Sequence, residues 1–229
     1  ERVWGSENFV ANIIWQKKFS PQNDARGLSD NHDFILCFAA HKETWQPGLL
    51  PRTEEQNARY QNPDNDPRGP WMSSGLDVKT YAEEYDYEIV TPSGRVVRPP
   101  KGRCWAVPKE RFEELIADNR IWFGPNGDNV PRLKRFLSEV KQGITPLTLW
   151  TYQDVGHNQE GAQELKSMMQ AGDVYFTSPK PTRLLKRIIT IGADKQSIVL
   201  DYFAGSGTTG HAVINLNRED GGRRKFILV

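Results

Sequence analysis

Ile198-Val199-Leu200-Asp201-Tyr202-Phe203-Ala204-Gly205-Ser206-Gly207 is the stretch on which the fold turns. Its apolar start reads as a buried strand ending at Asp201, and the Gly-x-Gly that follows predicts a tight turn. Glycine suits that turn because it adopts positive φ without strain and lets backbone N–H groups approach a ligand. Before the strand, Pro181 to Ile191 carries Leu184, Leu185, Ile188 and Ile189 on one stripe and stops at Gly192, which predicts a helix. After the turn, a second helix is predicted from about Thr208 to Leu216, and Lys225 to Val229 reads as another strand. Helix, strand, glycine turn, helix, strand is the opening of a parallel, doubly wound α/β unit. The second helix aims its N-terminus into the crevice, which favours an anionic or strongly polar ligand. Taken alone, the glycine turn leaves nucleotide-binding and purely structural roles both open. A Walker-type Gly-Lys-Ser/Thr does not occur, so cradling of ATP is disfavoured.

The rest of the chain narrows the class. Its 229 residues hold one domain with a sizeable core, or a core plus a smaller insertion. Hydrophobic content of 37% and charged content of 26% are ordinary for a soluble, cytoplasmic protein. No apolar run reaches bilayer length. Cys37 and Cys104 form no spaced pair, and His32, His41, His157 and His211 are scattered, so neither a disulfide framework nor a metal centre is expected. Net charge is +1, but the charges are unevenly placed: acids outnumber bases from Arg52 to Glu88, while Arg95 to Arg103 and Lys180 to Arg187 carry bases and no acid. Such stretches suit a phosphate-facing surface or a plain solvated face. The chain opens on Glu1 and closes on the apolar Phe226-Ile227-Leu228-Val229, so a piece of a longer protein is expected.

Phe9 to Trp15 and Asp33 to Ala39 read as strands separated by a polar loop. From His41 to about Lys101 the sequence is rich in Pro, Asn, Asp and Gly with interspersed Trp and Tyr, which predicts an irregular insertion. Pro108 to Asn119 and Pro131 to Gln142 show helical spacing; in the second, Leu133, Phe136, Leu137 and Val140 share a face, Pro131 fits the first position and Gly143 the C′ position. Ile121 to Gly124 reads as a strand and turn, and Gln159 to Ala171 as a weaker helix.

At this point the residues resemble a known family. Asp201-Tyr202-Phe203-Ala204-Gly205-Ser206-Gly207-Thr208-Thr209 is similar to the Asp-Pro-Phe-x-Gly-Ser-Gly-Thr-Thr motif of N6-adenine and N4-cytosine DNA methyltransferases, with Tyr202 in place of proline. Phe176-Thr177-Ser178-Pro179-Lys180-Pro181 resembles the Pro-x-Lys-Pro segment that precedes it. Ile13 to Lys18, Asn31 to Leu36, Asp66 to Trp71 and Pro99 to Trp105 look like segments of the β-arrangement, in which the catalytic motif comes first and the cofactor loop last. The series most resembles the modification subunit of type III restriction–modification systems. The resemblance implies an incomplete Rossmann-like methyltransferase core with a loop-rich insertion: residues 1–43 as core, 44–150 as target-recognition-like insertion, and 151–229 as the cofactor-binding part. It implies S-adenosylmethionine as cofactor, held by Pro179, Lys180, Asp201, Phe203, Ala204, Gly205, Ser206, Gly207 and Thr208. Double-stranded DNA, a restriction subunit and a second copy are the implied partners, with Lys17, Lys18, Arg68 and Arg103 as DNA-contact candidates. Lys17 and Lys18 read equally well as charges of a solvated loop, while for Arg68 beside Trp71, and in the same way Arg103 beside Trp105, a loop anchored by a buried tryptophan is the favoured reading over DNA contact. The family's Asp/Asn-Pro-Pro-Tyr/Phe tetrapeptide, which accepts the flipped-out base, does not occur here, so these residues alone are expected to be inactive. A non-catalytic DNA-binding or assembly module on the same scaffold is the alternative; methylation of RNA or protein glutamine is a third, against which the type III-like series speaks.

Overall fold

The computed structural model describes residues 3–169, 176 and 178–229. In chain order the strands are β1 (Phe9–Gln16), β2 (His32–Phe38), β3 (Trp71–Gly75), β4 (Asp77–Val78), β5 (Ile89–Val90), β6 (Val96–Val97), β7 (Cys104–Trp105), β8 (Ile121–Trp122), β9 (Arg132–Phe136), β10 (Leu149–Trp150), β11 (Ile198–Asp201) and β12 (Lys225–Leu228). The α-helices are α1 (Glu54–Ala58), α2 (Lys109–Ala117), α3 (Tyr152–Val155), α4 (Asn158–Met168), α5 (Thr182–Gly192) and α6 (Thr208–Asp220). They form two compact units, one of Glu1–Pro51 with Gly143–Val229 and one of Arg52–Gln142. Both changeovers fall inside residues 44–150, the stretch that the resemblance implies to be an insertion, and the first also falls where composition changes. Ala171, the expected end of the weaker helix, and Thr177 lie outside the described residues.

In the first unit, β1 is paired with β2 antiparallel and with β10 parallel, and β11 pairs with β12 in parallel. Parallel neighbours need a crossover, and α6 supplies the one between β11 and β12. Helix α5 lies under both sheets. Its Leu184 packs with Ile13, Trp15, Trp150 and Val155, while its Ile189 packs with Ala212, Val213 and Leu216 of α6. Trp15 is fully buried and donates its indole N–H to the Gly156 carbonyl at 2.9 Å. Burying each such large side chain contributes about 1.5–3 kcal/mol. The strand alternation is visible in β11: Val199 packs toward α5 and α6, while Ile198 and Leu200 are exposed on the other face. The architecture is thus mixed α/β with small sheets.

The second unit has more order than its composition suggests. Leu76, Ile89, Val97, Trp105, Phe112, Leu115, Ile121 and Phe123 form one buried cluster around α2 and short strands. Pro108 starts α2, and Asn119, at φ 51°, follows its end. The helix expected from Pro131 to Gln142 is not formed. Its first half is β9, central in a three-stranded sheet and hydrogen-bonded to β3 from Trp71↔Phe136 to Gly75↔Arg132. The inward residues of β9 are Lys134 and Phe136, so a lysine stands where strand alternation would show an apolar residue. Lys134 is buried and paired with Asp64 and Asp66.

Asp66 is the most strongly perturbed acid of this network. Hydrogen bonds from the Arg68 guanidinium hold its carboxyl well below the usual range, against the opposing effect of burial. A folded-state pKa below the unfolded value of about 3.9 means stability that is present above that value and lost as pH falls toward the folded one. Calorimetry over a pH series should therefore show the second unit melting earlier as pH drops below about 4. Asp66→Asn should flatten that dependence; an unchanged slope would remove Asp66 as its source.

Candidate functional site

The carboxyl end of β11, the turn after it and the segment before α5 enclose a cleft of about 220 Å³. One wall is Ser178, Pro179 and Lys180; the other is Asp201, Phe203, Ala204, Gly205, Ser206, Thr208 and Thr209. Eight of the nine residues expected to hold a cofactor thus line one space, and the ninth, Gly207, is the N-cap of α6 beside it. Gly205 sits at φ 53° and Gly207 at φ 76°, left-handed conformations that favour glycine. Among the described residues no side chain caps the α6 N-terminus, so its first-turn N–H groups can meet a ligand.

Asp201 organises the turn. Its Oδ1 accepts from the Phe203 backbone N–H at 3.1 Å and its Oδ2 from the Thr209 hydroxyl at 2.5 Å. Ala204 N–H donates to the Val229 carbonyl, and Gly207 N–H returns to the Ala204 carbonyl at 2.7 Å. Gly210 looks one position early for a Gly-x-Gly-x-x-Gly fingerprint only if the spacing is miscounted: with Gly205 and Gly207 it completes that spacing. A Cβ there would stand 3.1 Å from both Leu228 Cδ1 and Phe226 Cε2, so its bare backbone lets α6 lie close on β12. Across the cleft, Pro179 and Pro181 are buried, and Lys180 is half-exposed with its ammonium 4.9 Å over the Trp15 ring and 3.7 Å from Asp33.

The four basic DNA-contact candidates occupy unlike places. Lys17 donates to Asp33 at 2.6 Å, which with Asp30 raises its pKa further above neutrality. Lys18 forms no ion pair among the described residues. It lies on the wall of a second cavity of about 340 Å³ with Phe19, Pro21, His157 and Asn158. Phe19 packs on His157 and Tyr152 at ring distances of 5.3 and 5.8 Å. Arg68 is held inside the second unit: it donates twice to Asp66 at 2.9 Å, bonds Asp118, and covers the Phe136 ring at 4.3 Å. Arg103 pairs with Asp77. Both guanidiniums are thus engaged by residues of their own unit. Trp71 and Trp105 are buried anchors, and Trp71 donates its indole N–H to Asp64. His157 accepts the Glu160 N–H at 2.9 Å through Nδ1 and so caps α4, a partner that its sequence neighbourhood did not reveal.

A strand-to-helix glycine turn facing a Pro-Lys-Pro segment on an α/β scaffold forms a cleft with the room and the backbone donors to take a small polar ligand. Comparison with known proteins gives the class. A DNA methylase family model matches residues 3–228, and the chain belongs to that family. It is 37% identical to the type III restriction-modification enzyme StyLTI Mod subunit of Salmonella typhimurium, over all of this chain and 34% of that protein. It is 24% identical to the EcoP15I Mod subunit of Escherichia coli, over all of this chain and 40% of that protein. Identity to the type II methyltransferase M.KpnI of Klebsiella pneumoniae is 26%, over all of this chain and 57% of that protein. The chain therefore spans about a third to two-fifths of the Mod subunits it matches.

Proposed function

We propose that this chain is the cofactor-binding part of a DNA adenine-N6 methyltransferase, acting as the modification subunit of a type III-like restriction–modification system. The supporting observation is the single cleft that joins Pro179-Lys180 to the Gly205–Thr209 turn. Its donors fit S-adenosylmethionine. Lys180 and the uncapped α6 N-terminus suit the carboxylate of the methionine end, and the open face at Phe203 and Ala204 suits an apolar or aromatic part. The bound cofactor supplies an electrophilic sulfonium methyl. The protein's own contribution is positioning in a preorganised polar cradle: Asp201 holds the turn in shape, and Gly205 and Gly207 keep it open. The two sheets and helices α5 and α6 form part of a Rossmann-like core, and 52–142 serves as a target-recognition-like unit. Lys18, without an ion pair among the described residues and beside an aromatic-walled cavity, is the best placed of the four basic candidates for a DNA phosphate. Double-stranded DNA, a restriction subunit and a second copy are the partners of this reading, and the cytoplasm its setting.

The base-accepting Asp/Asn-Pro-Pro-Tyr/Phe tetrapeptide is not among these 229 residues, so methyl transfer requires a further segment. Isothermal titration with S-adenosylmethionine should give saturable one-to-one binding, weakened by Lys180→Met, while these residues alone transfer no methyl to DNA. Absence of binding in the intact protein would favour a scaffold that has lost its cofactor.

A further inference from the structure

The Pro179-Lys180-Pro181 segment is held from behind by one helix, and that helix takes no part in the cleft wall described above. Gly161 of α4 faces the backbone of the segment directly. A Cβ at Gly161 would overlap the Pro179 carbonyl oxygen and stand 2.8 Å from the Lys180 carbonyl carbon and 2.9 Å from Pro181 N. One turn later, at the i+3 position on the same face, Glu164 reaches the start of α5. Its Oε2 accepts the Thr182 backbone N–H at 2.8 Å and the Thr182 hydroxyl at 2.7 Å. One residue before Gly161, Glu160 takes both arms of Arg183 at 2.7 Å. Pro181, the N-cap of α5, has no capping side chain of its own. Glu164 supplies a cap from another helix, and its negative charge is favourable at that end of the helix dipole.

The contact continues to the opposite wall. Thr182, only 6% exposed, has its hydroxyl 3.4 Å from His211 Nδ1 on α6, and His211 Nε2 lies 3.1 Å from the Asn215 amide nitrogen. An amide N–H donating to Nε2 leaves the proton on Nδ1, so the hydrogen bonds run one way: Asn215 to His211, His211 to Thr182, Thr182 to Glu164. A small cavity of about 40 Å³ between α4 and α6 opens beside this chain, lined by Gly161, Glu164, Thr182 and His211 together with Lys180, Ser206 and Thr208, which also line the main cleft.

We propose that Glu164 and Gly161 are positioning residues of the cofactor site: α4 sets the placement of Lys180 relative to the α6 turn, with Gly161 as the close-approach point and Glu164–Thr182–His211 as the tie between the two walls. This rests on the cofactor reading of the cleft. It also identifies the function of a helix whose sequence signal was weak.

The test is titration of the intact protein with S-adenosylmethionine, alongside steady-state methylation, for the wild type and for Glu164→Ala, Glu164→Gln, Thr182→Val and Gly161→Ala. Loss of a charge-assisted double hydrogen bond should weaken cofactor affinity about tenfold in Glu164→Ala, raising the cofactor KM with kcat little changed. Glu164→Gln keeps the accepting oxygen and should recover most of the affinity. Thr182→Val in the Glu164→Ala background should add little, because both variants cut the same tie. Gly161→Ala, which leaves every hydrogen-bonding group in place, should weaken affinity by a comparable factor. Unchanged cofactor affinity in both Glu164→Ala and Gly161→Ala would overturn the proposal, as would an equal fall in kcat for Glu164→Gln and Glu164→Ala. A wild type that binds no S-adenosylmethionine would overturn the cofactor reading itself, and the proposal with it.

Discussion

Replacing Gly205 and Gly207 together by valine is expected to abolish measurable S-adenosylmethionine binding. Both glycines hold left-handed φ, at 53° and 76°. That conformation costs an ordinary L-residue about 1–2 kcal/mol, and a β-branched one more. The two sites together thus put about 3 kcal/mol or more against the binding geometry, a factor of at least about a hundred. The side chain added at Gly205, which lines the cleft, would also take up space in it. Helix α6 itself should persist, because its buried face of Ala212, Val213 and Leu216 is untouched. Circular dichroism should therefore remain that of the wild type while isothermal titration loses its signal. Gly221→Asn is the control: it has a positive φ at the far end of α6, where asparagine is tolerated. Retained affinity in the double valine variant would remove the glycine turn from the binding site.

The second large effect concerns the Arg52–Gln142 unit. Lys134→Met should destabilise it by about 3–5 kcal/mol, because removing one partner leaves buried carboxylate charge uncompensated. Lys134 is 1% exposed, Asp66 is fully buried and Asp64 is 18% exposed. Arg68 remains for Asp66 and the Trp71 indole for Asp64, which places the expected value toward the lower end. For a unit of this size about 3 kcal/mol corresponds to a fall in Tm of roughly 12–24 °C, readable by calorimetry. The triple change Lys134→Met, Asp64→Asn, Asp66→Asn should recover much of the loss, since neutral groups of similar shape carry no charge to bury. A Tm unchanged in Lys134→Met would show that the cluster contributes nothing net.

How far these features could be read in advance depended on where the side-chain pattern carried its own explanation. Strand β11, the glycine turn and helices α5 and α6 were legible because apolar stripes, a Gly-x-Gly and a terminal glycine all act locally. Strands β1 and β2 were legible for the same reason, though not their antiparallel pairing. Strand β9 was not. Leu133, Phe136, Leu137 and Val140 happen to fall at helical spacing, and the inward Lys134 conceals the alternation that pairing with β3 imposes. A buried lysine becomes interpretable only when Asp64 and Asp66, some seventy residues earlier, are seen beside it. Arg68 and Arg103 could be read either as DNA contacts or as anchors of a loop, and only the fold brings Asp118 to the first and Asp77 to the second. The roles of Gly161 and Glu164 were hidden too: a helical glycine reads as a weak point until Pro179 and Lys180 are found against it.

Helix α5 belongs to two hydrophobic clusters at once, one reaching β1 and β10, the other reaching α6 and β11. Eleven residues therefore act as a common spine, and neither sheet can open without stripping one side of it. Unfolding of the Glu1–Pro51 and Gly143–Val229 unit should be a single cooperative event, with amides of β1 and β11 exchanging at closely similar rates. A ligand that restrains the front of α5 through Lys180 would then slow exchange as far away as β1, so that occupancy of the cleft is felt as rigidity across the unit.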